Sequence, residues 1–214
     1  MPVAQKIFVN GVDMLNLAVT LDGVAQNNRA LHHVSANAID PGLLKAARAD
    51  AGAAPADAGP HAIAGSVVFE TVGAADILSD DAVFGDDLRL AYADNGDTFT
   101  RALTLATRHQ GFELLAYVKS ATGSDYTTGG GETIAGTAAN LQSGLLKFAL
   151  EAPESHGLEL SGMVLADDAL RRHRANIGEV VGGRPVPDLR REQALPPCCR
   201  CPSFSRENRP CSAP

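Results

Sequence analysis

The sequence predicts a mainly β or α+β fold, an antiparallel meander forming a sandwich or barrel, with a few short helices and a disordered C-terminal tail. Three observations predict it. Asn-Gly and Asp-Gly turn signals stand between short apolar runs near the start, side chains alternate apolar and polar through residues 87–165, and composition changes sharply near residue 178. With 214 residues, 45% of them hydrophobic, the chain can bury a substantial core. We assign one β-rich domain to 1–178 and an Arg/Pro/Cys-rich tail to 179–214.

Ile7-Phe8-Val9 meets Val12 across Asn10-Gly11, and Leu17 to Leu21 meets Val24 across Asp22-Gly23. Both turns supply the positive φ angles that a two-residue hairpin needs. Asp40 to Arg48 reads as a short helix, with Asp40 as its N-cap, Pro41 at the first helical position and basic residues near its end. Residues 51–60 join small residues to two prolines and read as a loop, Ser66 to Thr71 reads as a strand, and Ala74 to Val83 as a short helix.

The strongest signal lies between Asp87 and Leu165. Leu88, Leu90 and Tyr92 share a face, as do Phe99, Leu103 and Leu105; Phe112, Leu114, Ala116 and Val118; Leu146, Phe148 and Leu150; and Leu158, Leu160 and Val164. Turn residues separate the runs, so we read five strands buried on one side. Short apolar runs can also be helical, which leaves a helical alternative for parts of 87–165. The connection from Ser120 to Ser143 holds a Gly-rich stretch, Thr133 to Gln142 can form a helical turn inside it, and Asp167 to Arg174 looks like a closing helix.

Charge divides the chain. Residues 1–170 hold nine basic and 21 acidic side chains, net −12, while residues 171–214 hold nine arginines and four acids, net +5. The tail also holds seven of the 12 prolines and all four cysteines, Cys198, Cys199, Cys201 and Cys211, whose spacing is not that of a zinc knuckle. No run of about 18 apolar residues and no signal-peptide pattern is present, so the expected location is cytoplasmic or in a virion, with no membrane partner. Aromatic residues make up 5% of the chain and Trp is absent, which argues against a base-stacking nucleic-acid surface.

Catalytic equipment is sparse. Gly129-Gly130-Gly131-Glu132-Thr133 lacks the Lys of a phosphate loop, the six histidines fall in no metal-binding pattern, and the acid pairs Asp80-Asp81, Asp86-Asp87 and Asp167-Asp168 match no calcium loop. No cofactor or metal is expected. The nearest thing to catalytic equipment is Ser124, Asp125 and Tyr126 with His109 or His156 on nearby turns, and an enzyme reading uses His109 with Asp125 or Tyr126 for proton transfer at a pocket under the 121–132 loop.

The opening Lys6 to Asp13, followed by Leu17 to Gly23, resembles the start of bacteriophage tail-tube and related tail proteins. That resemblance implies a ring-forming structural subunit without an active site. Edge strands that pair around a ring, and an acidic body that repels DNA, agree with it. The leading expectation is therefore a non-enzymatic, self-assembling homo-oligomer whose contacts include Asn10, Gly11, Asp22, Gly23, Gly129 and Gly130. The alternative is a small-molecule enzyme or a ligand-binding domain with its site under the 121–132 loop.

Overall fold

Both glycine turns form in the computed structural model, which describes residues 7–26, 29–30, 34–35, 39–52, 62–152, 156–171 and 189–200. Asn10 and Gly11 have φ of 50° and 80°, Asp22 and Gly23 of 49° and 84°, the left-handed region that such turns demand of both central residues. The first turn joins β1 (Phe8–Val9) to β2 (Val12–Asp13), and the second joins β3 (Ala18–Leu21) to β4 (Val24–Ala25). A further two-residue pair, β5 (Arg29–Ala30) with β6 (Val34–Ser35), follows.

The helix expected from Asp40 to Arg48 ends after one turn. Asp40 does cap a 3-10 turn at Pro41–Leu43, accepting a hydrogen bond from the Gly42 N–H at 3.0 Å. The chain then runs extended as β7 (Leu44–Ala51), antiparallel to β8 (Gly65–Thr71). Helix propensity differs by only about 0.7 kcal/mol per residue among ordinary side chains, so a sheet partner overrides it. β8 also lies parallel to β3, which sets the order β4-β3-β8-β7. Of the helix expected over 74–83, only α1 (Ala74–Ile77) forms.

β9 (Phe84–Ala93), β10 (Thr98–His109), β11 (Phe112–Gly123), β12 (Ala139–Ala152) and β13 (His156–Arg171) then follow as an antiparallel meander. The fold class is thus mainly β and chiefly antiparallel, and the helical alternative for 87–165 falls. Two smaller expectations fall with it. β13 runs straight through 167–171, where a closing helix was expected, and a Thr127–Thr133 bridge followed by β12 occupies the place of a helical turn at 133–142.

β14 (Leu189–Arg200), from the stretch that the sequence assigns to the tail, lies beside β13. Its register breaks between the partners of Ser161 and Met163, around Pro196 and Pro197. Proline has no N–H to give a ladder and is tolerated only at an edge or a bulge. Cys198 and Cys199 belong to this strand, and Cys201 and Cys211 lie outside the described residues.

The four-stranded sheet packs against one face of the meander. Leu17, Val19, Leu21, Leu43, Val67 and Phe69 form one buried cluster with Ala102, Leu115, Tyr117, Leu145 and Met163 of β10 to β13. We call the first group of elements the inner domain and the meander the wall.

Candidate functional site: an inside-out wall around an inner domain

The alternation in the wall is the one the sequence predicts, but its polarity is reversed. Leu88, Leu90, Tyr92, Phe99, Leu105, Val118, Leu146, Leu150, Leu158 and Val164 are all exposed, Leu88 at 63% and Leu146 at 56%. The opposite face, turned toward the inner domain, buries Ala102, Thr104, Ala106, Ser143, Lys147 and Asp167. The outward face is largely apolar, while the inward face mixes apolar side chains such as Leu115, Leu145 and Leu165 with small, polar and charged ones. Single exposed leucines are ordinary; an apolar face spread over five adjacent strands, interrupted at Asp86 and at the row of Arg101, Ser120 and Gln142, is not, and marks a surface that meets something other than water.

Register makes this face a band. Moving up the strands, Phe112 lies beside Leu150, Leu114 beside Phe148, Ala116 beside Leu146, and Val118 beside Gly144, which is next to Val164. Aromatic side chains stand at both ends. Phe112 and Phe148 meet edge to face at 4.9 Å between centroids at one end, and Tyr92 pairs with Phe99 at the other. His109 is the register partner of Phe112, and Phe99 lies ten residues further along β10. At about 3.4 Å per residue that is about 34 Å of strand, or about 26 Å along an axis from which strands tilt by about 40°. Transmembrane barrels carry an outward apolar band about 25 Å tall between aromatic girdles, over a polar interior.

Two ionic clusters tie the inner domain to the wall. Asp40, 0% exposed, accepts hydrogen bonds from Lys119 Nζ at 2.7 Å, Ser143 Oγ at 2.8 Å, the Gly42 N–H at 3.0 Å and Tyr117 OH at 3.2 Å. All the wall residues in this set project from the inward face of β11 and β12. In the second cluster Lys147 Nζ lies 3.5 Å from both Asp22 Oδ2 and Glu159 Oε1 and donates to the Thr71 carbonyl at 3.4 Å. Asp22 in turn accepts from the Thr71 N–H at 2.9 Å. Buried charges persist only when paired and hydrogen-bonded, so these sets fix where the inner domain sits.

The sequence-stated candidates fall in different places. Asp22 and Gly23 turn inside this second cluster, while Asn10 and Gly11 form an exposed turn. Asp125 organises the connection between β11 and β12, accepting from the Thr137 and Ala138 N–H groups, each at 2.7 Å. Burial pushes its carboxyl up, but the Ala138 and Thr137 N–H groups, with the Thr137 hydroxyl, outweigh this and hold it below the usual carboxylate range. Tyr126 accepts from the Ile134 N–H through its carbonyl at 3.0 Å, and Gly129 and Gly130 turn the tip between Thr128 and Gly131. The connection is ordered, fastened to the β9–β10 turn where the Thr127 N–H donates to Asn95 Oδ1 at 2.7 Å.

His109 is not part of that arrangement. It closes β10 beside Phe112, so the length of β11, about 37 Å, separates it from Asp125. The structure brings Asp125 and Tyr126 together and leaves His109 at the opposite rim. Among the described residues no group of three or more His, Cys, Asp or Glu side chains could hold a metal, and no helix is long and apolar enough to cross a membrane.

The class defined by this arrangement is a curtain of antiparallel strands, largely apolar on its outer face and covered on its inner face by a separate group of elements. No protein-family model matches the chain. It is 38% identical over 134 residues, 63% of its length, to the heme transporter BhuA of Brucella ovis, and 28% identical over 165 residues, 76% of its length, to the TonB-dependent heme receptor A of Haemophilus influenzae. The chain spans about a fifth of each relative, 20% and 22%. Its fold superposes on the FrpB iron transporter of Neisseria meningitidis with a TM-score of 0.71 at 24% identity, covering 81% of this chain and 27% of that one.

These findings overturn several expectations. The likeness of Lys6 to Gly23 to phage tail proteins was a likeness of two common hairpins, and the relatives are heme and iron receptors. With it go the self-assembling homo-oligomer and the cytoplasmic or virion location without a membrane partner. What sequence reasoning missed was the inward face. The inward side of the same strands mixes Leu115, Tyr117, Leu145 and Met163 with Thr104, Lys119, Ser143 and Lys147, and the two lysines among them are unusual in the core of a soluble sheet.

Proposed function

We propose that this chain forms part of a TonB-dependent outer-membrane receptor for heme or iron, with β9 to β13 as wall strands crossing the bilayer and the residues before Phe84 as a domain that fills the wall. The single observation that carries the reading is the reversed polarity of the wall: an aromatic-edged apolar band outward, with Lys119, Ser143 and Lys147 inward on the inner domain. In transport, the inner domain closes the passage and its ionic clusters are the contacts that must part or shift for cargo to move. The names of the relatives supply the cargo class, heme or iron.

The test is growth. In a heme-auxotrophic host with an outer membrane and no heme receptor of its own, the gene that encodes this chain is expected to support growth on heme when TonB is intact and to fail when TonB is deleted. Growth that ignores TonB, or a protein recovered wholly in the soluble fraction, overturns the proposal.

We also propose the division at 178/179. β14 is an edge strand interrupted at Pro196-Pro197, so truncation after Glu179 is expected to leave the inner domain and β9 to β13 folded. Far-UV circular dichroism and limited proteolysis check this, and loss of the protease-resistant 1–178 body would refute it.

A further inference from the structure

We propose that the outer face of the wall holds one anionic lipid, its phosphate headgroup met by Arg101 and its chain laid in a trough beside Gly144; the proposal rests on the membrane reading above. Arg101 points outward from β10 between Leu90 of β9 and Ser120 of β11. It lies one row inside the Tyr92–Phe99 rim. Among the described residues its side chain makes no hydrogen bond and no ion pair, in contrast to Arg48 and Arg89, which pair with Asp50 and Asp87. The outward acids are remote. Asp86 lies four residues down β9 from Leu90, about 13 Å away, and Asp168 stands three strands over, about 14 Å.

A lone cation facing lipid is expensive unless it reaches the headgroup level or finds an anion there. Arg101 can do both, because its row is next to the rim and its guanidinium offers a fork of donors that matches phosphate. The trough supplies the second half of a lipid site. About 720 Å³ in volume, it opens on the outer face among Leu88, Leu90, Val118, Gly144, Val164 and Ala166, and Arg101 is part of its lining. Gly144 makes the gap, since its register partners are Val118 and Val164 and no side chain stands between them. One and two rows further down, Leu146 and Phe148 fill the face again. Cation and trough thus adjoin at one place, with a polar row of Arg101, Ser120 and Gln142 above an apolar one. Charge complementarity selects a negatively charged headgroup, and the apolar floor selects an acyl chain.

The chain contains no Trp, so a single introduced Trp reports lipid contact by quenching from brominated acyl chains. The full chain carrying Leu90→Trp, beside Arg101, is compared with Leu150→Trp, at the other rim, in vesicles that mix phosphatidylglycerol with phosphatidylcholine and carry bromine on one or the other. At Leu90→Trp the anionic lipid is expected to be preferred about fivefold, the gain of about one lipid-facing basic residue, and at Leu150→Trp about equally with phosphatidylcholine. Arg101→Ala should remove the preference and Arg101→Lys keep most of it, with quenching at Leu150→Trp unchanged in both. Equal affinity at Leu90→Trp, or a preference that survives Arg101→Ala, overturns the lipid site. Quenching at Leu150→Trp but none at Leu90→Trp also overturns it, assigning the trough to a protein partner or a second copy. Absence of quenching at both positions refutes the membrane reading itself.

Discussion

Leu146→Arg is expected to destabilise the folded chain in a phosphatidylcholine bilayer by about 2–4 kcal/mol, the penalty of an arginine at mid-depth on the lipid face of a barrel. Leu146 is 56% exposed and lies in the row of Leu105 and Ala116, midway between the two aromatic rims. Leu150→Arg is the matched control. Leu150 is 41% exposed and stands beside Phe112 at the rim, where the same substitution should cost about 0–1 kcal/mol. In water the order would vanish, because replacing an exposed side chain usually changes stability by less than about 0.5 kcal/mol. Urea titration of both variants in vesicles separates the cases. A Leu146→Arg protein as stable as its parent would mean that the band does not meet lipid.

The depth dependence also explains how far the sequence could be read. Turn chemistry is local, so Asn10-Gly11 and Asp22-Gly23 announce their hairpins whatever surrounds them. The meander is nearly as legible, because alternation with period two survives any environment. Direction does not survive. A row such as Leu88, Leu90 and Tyr92 says that these side chains share a surface, and only the assumption of an aqueous solvent says that the surface is inside. The Lys119 and Lys147 side chains carried the contrary information, since they alternate with the apolar row and are therefore forced to the inward face. Secondary structure failed where partners decided it. Leu44 to Ala51 contains good helix formers yet pairs with β8, and Asp167, which looks like a helix cap, is a buried inward residue of β13. The candidate site was hidden for a further reason. Asp40 meets Lys119 and Ser143 across separations of 79 and 103 residues, and no local pattern records such a meeting.

Asp40→Ala is expected to cost about 3 kcal/mol, the low end of the 3–5 kcal/mol seen when one partner of a buried ion pair is removed. The low end applies because Lys119 retains 17% exposure and part of its hydration. Three consequences add up in that substitution: the Lys119 ammonium loses its carboxylate, the Tyr117 and Ser143 hydroxyls lose their acceptor, and the turn at Pro41–Leu43 loses its cap. Asp40→Asn separates them, since it keeps a capping oxygen and an acceptor but removes the charge, and should cost less than the alanine. In the double variant Asp40→Ala with Lys119→Met the loss should be smaller than the sum of the single ones, as no unpaired cation then remains. Because Asp40 belongs to the inner domain and its partners to the wall, the effect should also be local. Protease cleavage of the inner domain should accelerate in Asp40→Ala while β9 to β13 stay protected in vesicles. A loss below about 1 kcal/mol, or simple additivity with Lys119→Met, would show that apolar packing of Leu43, Phe69 and Leu115 alone holds the two parts together.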